Sequence, residues 1–140
     1  MVSLLTLVAF GQVKMRRMPP NLNHPAINNF APFISLDGNS MVYLADVAED
    51  NAITLNYTTR VGVNWKDPVI LPKSVNNRLN FMKGYSLSAD GTMLYISNMK
   101  SNGMGGFDLY TSQLIGNRWD EPVNMLLPSA TGNLVGGVPS

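Results

Sequence analysis

From Ala31 onward the chain runs in short stretches of alternating apolar and polar residues, each closed by a Gly, Asn or Asp-Gly turn signal. That is the pattern of antiparallel strands joined by tight turns. It is clearest in Gly84 to Leu87, Leu94 to Ser97, Gly105 to Tyr110 and Trp119 to Val123, with Ser88-Ala89-Asp90-Gly91 between the first two. The same order occurs earlier: Ser35, Asp37 and Gly38 return 53 positions later as Ser88, Asp90 and Gly91. Tyr57-Thr58-Thr59 falls on Tyr110-Thr111-Ser112 at the same offset, and Trp65 to Val69 falls on Trp119 to Val123 at 54. A one-residue indel between the last two elements accounts for the slip.

Each Ser-x-Asp-Gly is expected to make a three-residue hairpin loop, a type I turn with Gly38 or Gly91 in the left-handed position that a side chain strains. Trp-x-x-Pro-Val reads as a short fourth strand, its indole covering the apolar face of the unit. Pro68 and Pro122 mark an outer edge, where no ladder donor is needed. A unit near 50 residues with four strand-like runs is the pattern of propeller blades of four-stranded antiparallel sheets, an all-β class.

The predicted organisation is a leading loop or linker at 12–29, a first blade at 30–82, a second at 83–135 and the start of a third at 136–140. Residues 13–29 hold three prolines and four asparagines without a period of 2 or 3.6. Residues 1–11 are expected to be the tail of a secretory signal: Val2 to Phe10 is apolar and small, and Ala9 and Gly11 place small residues where a signal peptidase reads. A short buried strand or helix is the alternative; the run is too short for a transmembrane span. A propeller takes about 4 to 8 blades, so the chain is expected to be the N-terminal part of a longer propeller, or to close against a partner or itself.

Composition narrows the chemistry. Of 140 residues, 45% are hydrophobic, which is enough for a core. Ten Lys plus Arg against nine Asp plus Glu give a net charge of +1, with no long-range field for nucleic acid or an anionic membrane. Cysteine is absent, which removes disulfides, thiolate metal sites and a Cys nucleophile. His24 is the only histidine and precedes a proline in a polar stretch, so a His-based triad lacks partners.

Asp37 and Asp90 occupy equivalent turn positions in separate units, where Asp is a preferred turn residue, and so read as architecture rather than an acid-base pair. Asp108, after Gly105-Gly106, is expected to bond backbone or a neighbouring hydroxyl. Asp46, Glu49, Asp50 and Asn51 cluster oxygen ligands in one loop but lack the EF-hand order and its glycine. Asn102 to Gly106 lacks the Gly-Lys-Ser/Thr of a phosphate cradle. No catalytic, metal or cofactor-binding residue is expected, and recognition is assigned to the variable loops at 46–52 and 98–106.

Phe33 to Gly38, Leu87 to Gly91, Leu94 to Ser97, and Gly105-Gly106-Phe107-Asp108-Leu109-Tyr110 leading to Trp119-x-x-Pro122-Val123 resemble the WD40-like propeller repeat of the Tol-system propeller protein. They are more similar still to exported Bacteroidetes-type proteins that join such repeats to an OmpA-like peptidoglycan-binding domain. The resemblance covers about residues 28 to 140. It departs in having Leu36 and Ala89 where the family has Pro, and the Gly-Gly-x-Asp-x-Tyr element is intact only in the second unit.

The resemblance implies a non-enzymatic scaffold, exported to the periplasm or outer membrane, that binds envelope proteins and reaches peptidoglycan through a missing downstream domain. The alternatives are an accessory propeller of a larger peptidase or glycan hydrolase, and a glycan- or peptidoglycan-binding module.

Overall fold

The computed structural model describes residues 15–47, 52–76, 82–98 and 106–125. The expected signal remnant, the expected third unit at 136–140 and Gly105 lie outside the described residues. The fold is all-β, built from two antiparallel sheets. In the first, β1 (Ile27–Ile34), β2 (Ser40–Val47) and β3 (Ala52–Val61) are followed by β4 (Asn64–Trp65) and β5 (Val69–Ile70), both on the free edge of β3. One turn of helix, α1 (Lys73–Asn76), leads on. In the second sheet, β6 (Gly84–Leu87), β7 (Met93–Asn98) and β8 (Asp108–Ile115) are followed by β9 (Arg118–Trp119) and β10 (Val123–Asn124) along β8.

The expected fourth strand is therefore broken in two in both sheets. Arg60 pairs with Trp65 but Tyr57 with Val69, and Leu114 pairs with Trp119 but Thr111 with Val123, so each ladder slips by one residue just before the proline. Proline has no N–H to continue the ladder. The carbonyl left over at the slip is taken by a buried hydroxyl of the neighbouring strand: Thr58 Oγ1 donates to Lys66 at 2.8 Å, and Ser112 Oγ donates to Asp120 at 2.6 Å. Thr58→Val and Ser112→Ala are each expected to lower stability by about 1 kcal/mol, as loss of a part-buried hydrogen bond does. Urea midpoints are the measurement, and Thr58→Ser should stay near wild type.

The ladders also correct the repeat alignment. Tyr43 pairs with Asn56, and its counterpart Ile96 pairs with Tyr110. Tyr110 thus occupies the place of Asn56, and Tyr57 that of Thr111, an offset of 54. The indel lies between the second and third strands of the unit, not before the Trp element.

The turns differ from expectation in length. Ser35 N–H donates to Ser40 C=O and Ser88 N–H to Met93 C=O, so each loop has four residues, not three. The Asp side chain is the cause: Asp37 Oδ1 accepts the Asn39 N–H at 2.9 Å, which a three-residue loop would return to the Ser35 carbonyl. The glycine expectation holds, with φ +74° at Gly38 and +71° at Gly91.

The main core sits between the sheets. Alternation along β2 and β3 puts Val42, Leu44, Leu55 and Tyr57 on one face, and Leu71 follows on the same edge. They join Leu87, Leu94, Ile96, Tyr110 and Trp119 of the second sheet in one buried cluster, with Val75 of α1. Each such side chain, when fully buried, contributes about 1.5–3 kcal/mol. Asn76 closes the edge of β3: its Oδ1 accepts Leu55 N–H at 2.7 Å and its Nδ2 donates to Leu71 C=O at 2.6 Å.

The opposite face of the first sheet carries Met41, Tyr43 and Ala45, and Leu22 covers them. The stretch expected as a linker is thus in part a strap across this face, and β1 begins at Ile27, inside it. β1 also bulges between Phe30 and Phe33, where Ala31 takes a left-handed φ of +50° and accepts a hydrogen bond from the Tyr85 hydroxyl of the second sheet. A non-glycine residue there costs roughly 1–2 kcal/mol, which the cross-sheet bond offsets.

Candidate functional site

The two Ser-x-Asp-Gly turns, separated by 53 positions, meet in space. Asp37 N–H donates to Ala89 C=O at 3.0 Å, and both carboxylates stand at this junction, exposed. Each is held by its own turn. Ser35 Oγ donates to Asp37 at 2.5 Å while accepting Ser40 N–H at 3.0 Å. Ser88 Oγ donates to Asp90 at 2.5 Å while accepting Met93 N–H at 3.0 Å, and Thr92 adds its N–H and hydroxyl to Asp90.

The Ser35 hydroxyl and then the Asn39 N–H hold Asp37 below the usual carboxylate range, although the charge of Asp90 opposes them. The Ser88 hydroxyl and then Thr92 do the same for Asp90. These charges stabilise their turns, so the arrangement is a pair of turn staples. It is not a raised-pKa acid beside a base.

A pH dependence follows. A carboxylate whose folded pKa is depressed contributes stability above its unfolded pKa of about 3.9 and loses it as pH falls through the lower folded value. Denaturant midpoints should therefore be level from neutral pH to about pH 5 and fall below about pH 4. Asp37→Asn and Asp90→Asn should each flatten that fall; an unchanged acid limb in both would exclude the turns as its source.

The other motif residues among those described sit within the sheets and their turns. Trp65 is half-buried beneath the Arg60 guanidinium, 5.6 Å from the ring centre, whereas Trp119 is buried edge-on against Tyr57, with centroids 5.1 Å apart. Pro68 and Pro122 lie at the ladder slips. Gly106 has φ +70°, which admits the turn into β8.

Asp108 and Tyr110 belong to a buried polar group with Asn98 and Asn124, each at most 5% exposed, and Asn124 Nδ2 donates to Asp108 Oδ2 at 3.3 Å. The Asp108 carboxylate thus accepts from a side-chain amide, where a backbone group or a hydroxyl was the expectation. Burial first, and the Asp108 charge second, push the Tyr110 phenol up.

Among the described residues no cluster of three or more His, Asp or Glu side chains is placed to hold a metal ion, and no helix is long and apolar enough to cross a membrane. Of the loops assigned to recognition, 48–51 and 99–105 lie outside the described residues, including Glu49, Asp50 and Asn51 of the acidic loop.

Two surfaces stand out instead. One is a crevice of about 460 Å³ between β1 and β6, lined by Ala31, Phe33, Leu44, Ile53, Met82 and Tyr85. The other is the face of the second sheet turned away from the first. There Tyr95, Leu109, Val123 and Met125 are 37%, 51%, 52% and 51% exposed. By the ladder they are the counterparts of Val42, Leu55, Val69 and Leu71, of which Val42, Leu55 and Leu71 are buried between the sheets. The pairing of Leu55 with Leu109 at an offset of 54 was a sequence signal for this face, hidden by the alignment of the two tyrosines.

No family model, curated protein or solved structure matches this chain.

Proposed function

We propose that this chain is a non-catalytic scaffold of propeller-type blades in the bacterial cell envelope, and that the outer face of its second sheet docks a protein partner. One observation carries the reading. Tyr95, Leu109 and Met125 of the outer face take the places of Val42, Leu55 and Leu71, which are buried between the sheets, yet they are exposed, with Ser97 and Thr111 standing where the first sheet has Leu44 and Tyr57. An exposed cluster of large apolar side chains on a sheet face is the form of a protein-binding surface. The stacking of two repeated units supports blades, and the WD40-like resemblance supports export to the periplasm or outer membrane.

The test is photo-crosslinking in envelope preparations, with a photoreactive residue at Tyr95 or Leu109 and a control at Val63, exposed in the turn between β3 and β4 of the first sheet. The reading expects discrete protein adducts from the first two positions, weak or absent at the control. Adducts to muropeptides alone, or none above the control, would overturn it. The second outcome favours a hydrolase accessory and the first a glycan-binding module.

A further inference from the structure

The two ends of this stack are not alike, and the difference identifies a partner for the outer face. Within the chain, the face bearing Val42, Leu55 and Tyr57 packs on the face bearing Leu94, Ile96 and Trp119. The first sheet has its own version of that receiving face, in which Met41, Tyr43 and Trp65 take the places of Leu94, Ile96 and Trp119. Residues 19–27 lie over it.

Resting on the scaffold reading above, we propose that residues 19–27 are a displaceable strap. The strap blocks head-to-tail pairing, in which the outer face of one copy's second sheet docks on the receiving face of a second copy's first sheet.

The strap fills this face poorly. It contributes one fully buried side chain, Leu22, where the second sheet receives Val42, Leu55 and Tyr57 together. A hollow of about 240 Å³ remains beside it, lined in part by Met18, Phe30, Ile34, Met41 and Tyr43. Its anchors are side-chain amides at the surface: Asn21 Nδ2 donates to Asp67 Oδ1 at 3.0 Å and to Trp65 C=O at 3.4 Å, and Asn29 Nδ2 donates to Leu22 C=O at 2.9 Å.

With strands about 4.8 Å apart and four to eight residues long, the outer face covers roughly 350 Å², so two paired faces bury about 700 Å² in total. That is the size of a weak, concentration-dependent contact. A second copy therefore offers a matching sheet face for such a contact once the strap leaves.

Sedimentation over a concentration series tests this on the full chain. Leu22→Asp should loosen the strap and strengthen self-association by about tenfold or more, and adding Leu109→Glu should abolish the gain. The double variant, with its receiving face open and its outer face blocked, should form a one-to-one complex with wild type. Far- and near-ultraviolet circular dichroism shows whether Leu22→Asp retains the wild-type fold. Where it does not, Asn21→Ala, which cuts the strap's tie to Asp67 and Trp65 and leaves the sheet face intact, carries the same expectations.

Folded strap variants that stay as monomeric as wild type would overturn the proposal. So would self-association of wild type that Leu109→Glu removes regardless of residue 22, since that pairs two outer faces. If Tyr95 crosslinks to an unrelated protein while the strap variants remain monomeric, only this inference fails; if Tyr95 and Leu109 form no protein adducts, the scaffold reading fails with it.

Discussion

Gly91→Ala should be the most damaging glycine-to-alanine change among the described residues, costing about 3 kcal/mol or more. Two effects add. Gly91 sits at φ +71°, where a side chain costs roughly 1–2 kcal/mol. Its Cβ would also fall 2.3 Å from Ser40 Oγ and 2.4 Å from Ser40 Cβ, and overpacking of that kind costs about 1–3 kcal/mol. Ser40 is buried, with Oγ 3.2 Å from the Tyr57 hydroxyl, so it cannot swing clear without losing that contact.

Gly38→Ala is the control. Its φ of +74° imposes the same backbone strain, but the new Cβ meets only the end of the flexible Arg60 side chain at 3.3 Å, so about 1–2 kcal/mol is expected. A urea-denaturation cycle of Gly91→Ala and Ser40→Gly should show favourable coupling of about 1 kcal/mol or more. Equal costs at Gly38 and Gly91 with no coupling would mean the second turn is not seated on the first sheet.

Trp119→Ala should cost about 3–5 kcal/mol, the range for a large aromatic removed from a core. Trp119 is 5% exposed and meets Tyr57 edge-on, with rings at 85°, a geometry worth about 0.5–1.5 kcal/mol beyond burial. Against a total stability of about 5–15 kcal/mol, the variant should be close to unfolding at 25 °C.

Trp65→Ala removes the corresponding ring from a half-buried site under the Arg60 guanidinium, and about 1–2 kcal/mol is expected. Trp119→Phe should be mild, about 1 kcal/mol, because the indole N–H has no hydrogen-bond partner among the described residues to lose. Thermal melts of the three variants decide the order; a Trp65 effect equal to that of Trp119 would contradict the position of the core.

Much of the architecture was legible in the sequence, because local chemistry dictates it. Asp-Gly at 37–38 and 90–91 announces a turn whatever surrounds it, and the short apolar runs from Met41 to Ala45 and from Met93 to Ile96, each following such a turn, announce strands covered on both faces. The third-strand alignment went astray because Tyr57 and Tyr110 share a residue type. Hydrogen-bond ladders respond to register instead, and the extra residue lies in the loop before β8, where a chain absorbs insertions at little cost.

The role of residues 19–27 was hidden because a strap has no period. One leucine and two asparagines define it, and their partners lie on strands that the sequence alone does not bring near. The adjacency of Asp37 and Asp90 likewise depends on how the sheets stack, which turn chemistry does not encode.

The bond from Asp37 N–H to Ala89 C=O also bears on how the molecule opens. Backbone amides at an exposed turn ordinarily exchange with solvent in local fluctuations. This one is closed by a carbonyl from the other sheet, so it exchanges only when the sheets part. The Asp37 amide should exchange as slowly as amides in the middle of β2 and β7, making the junction between repeats part of one cooperative unit and not a hinge.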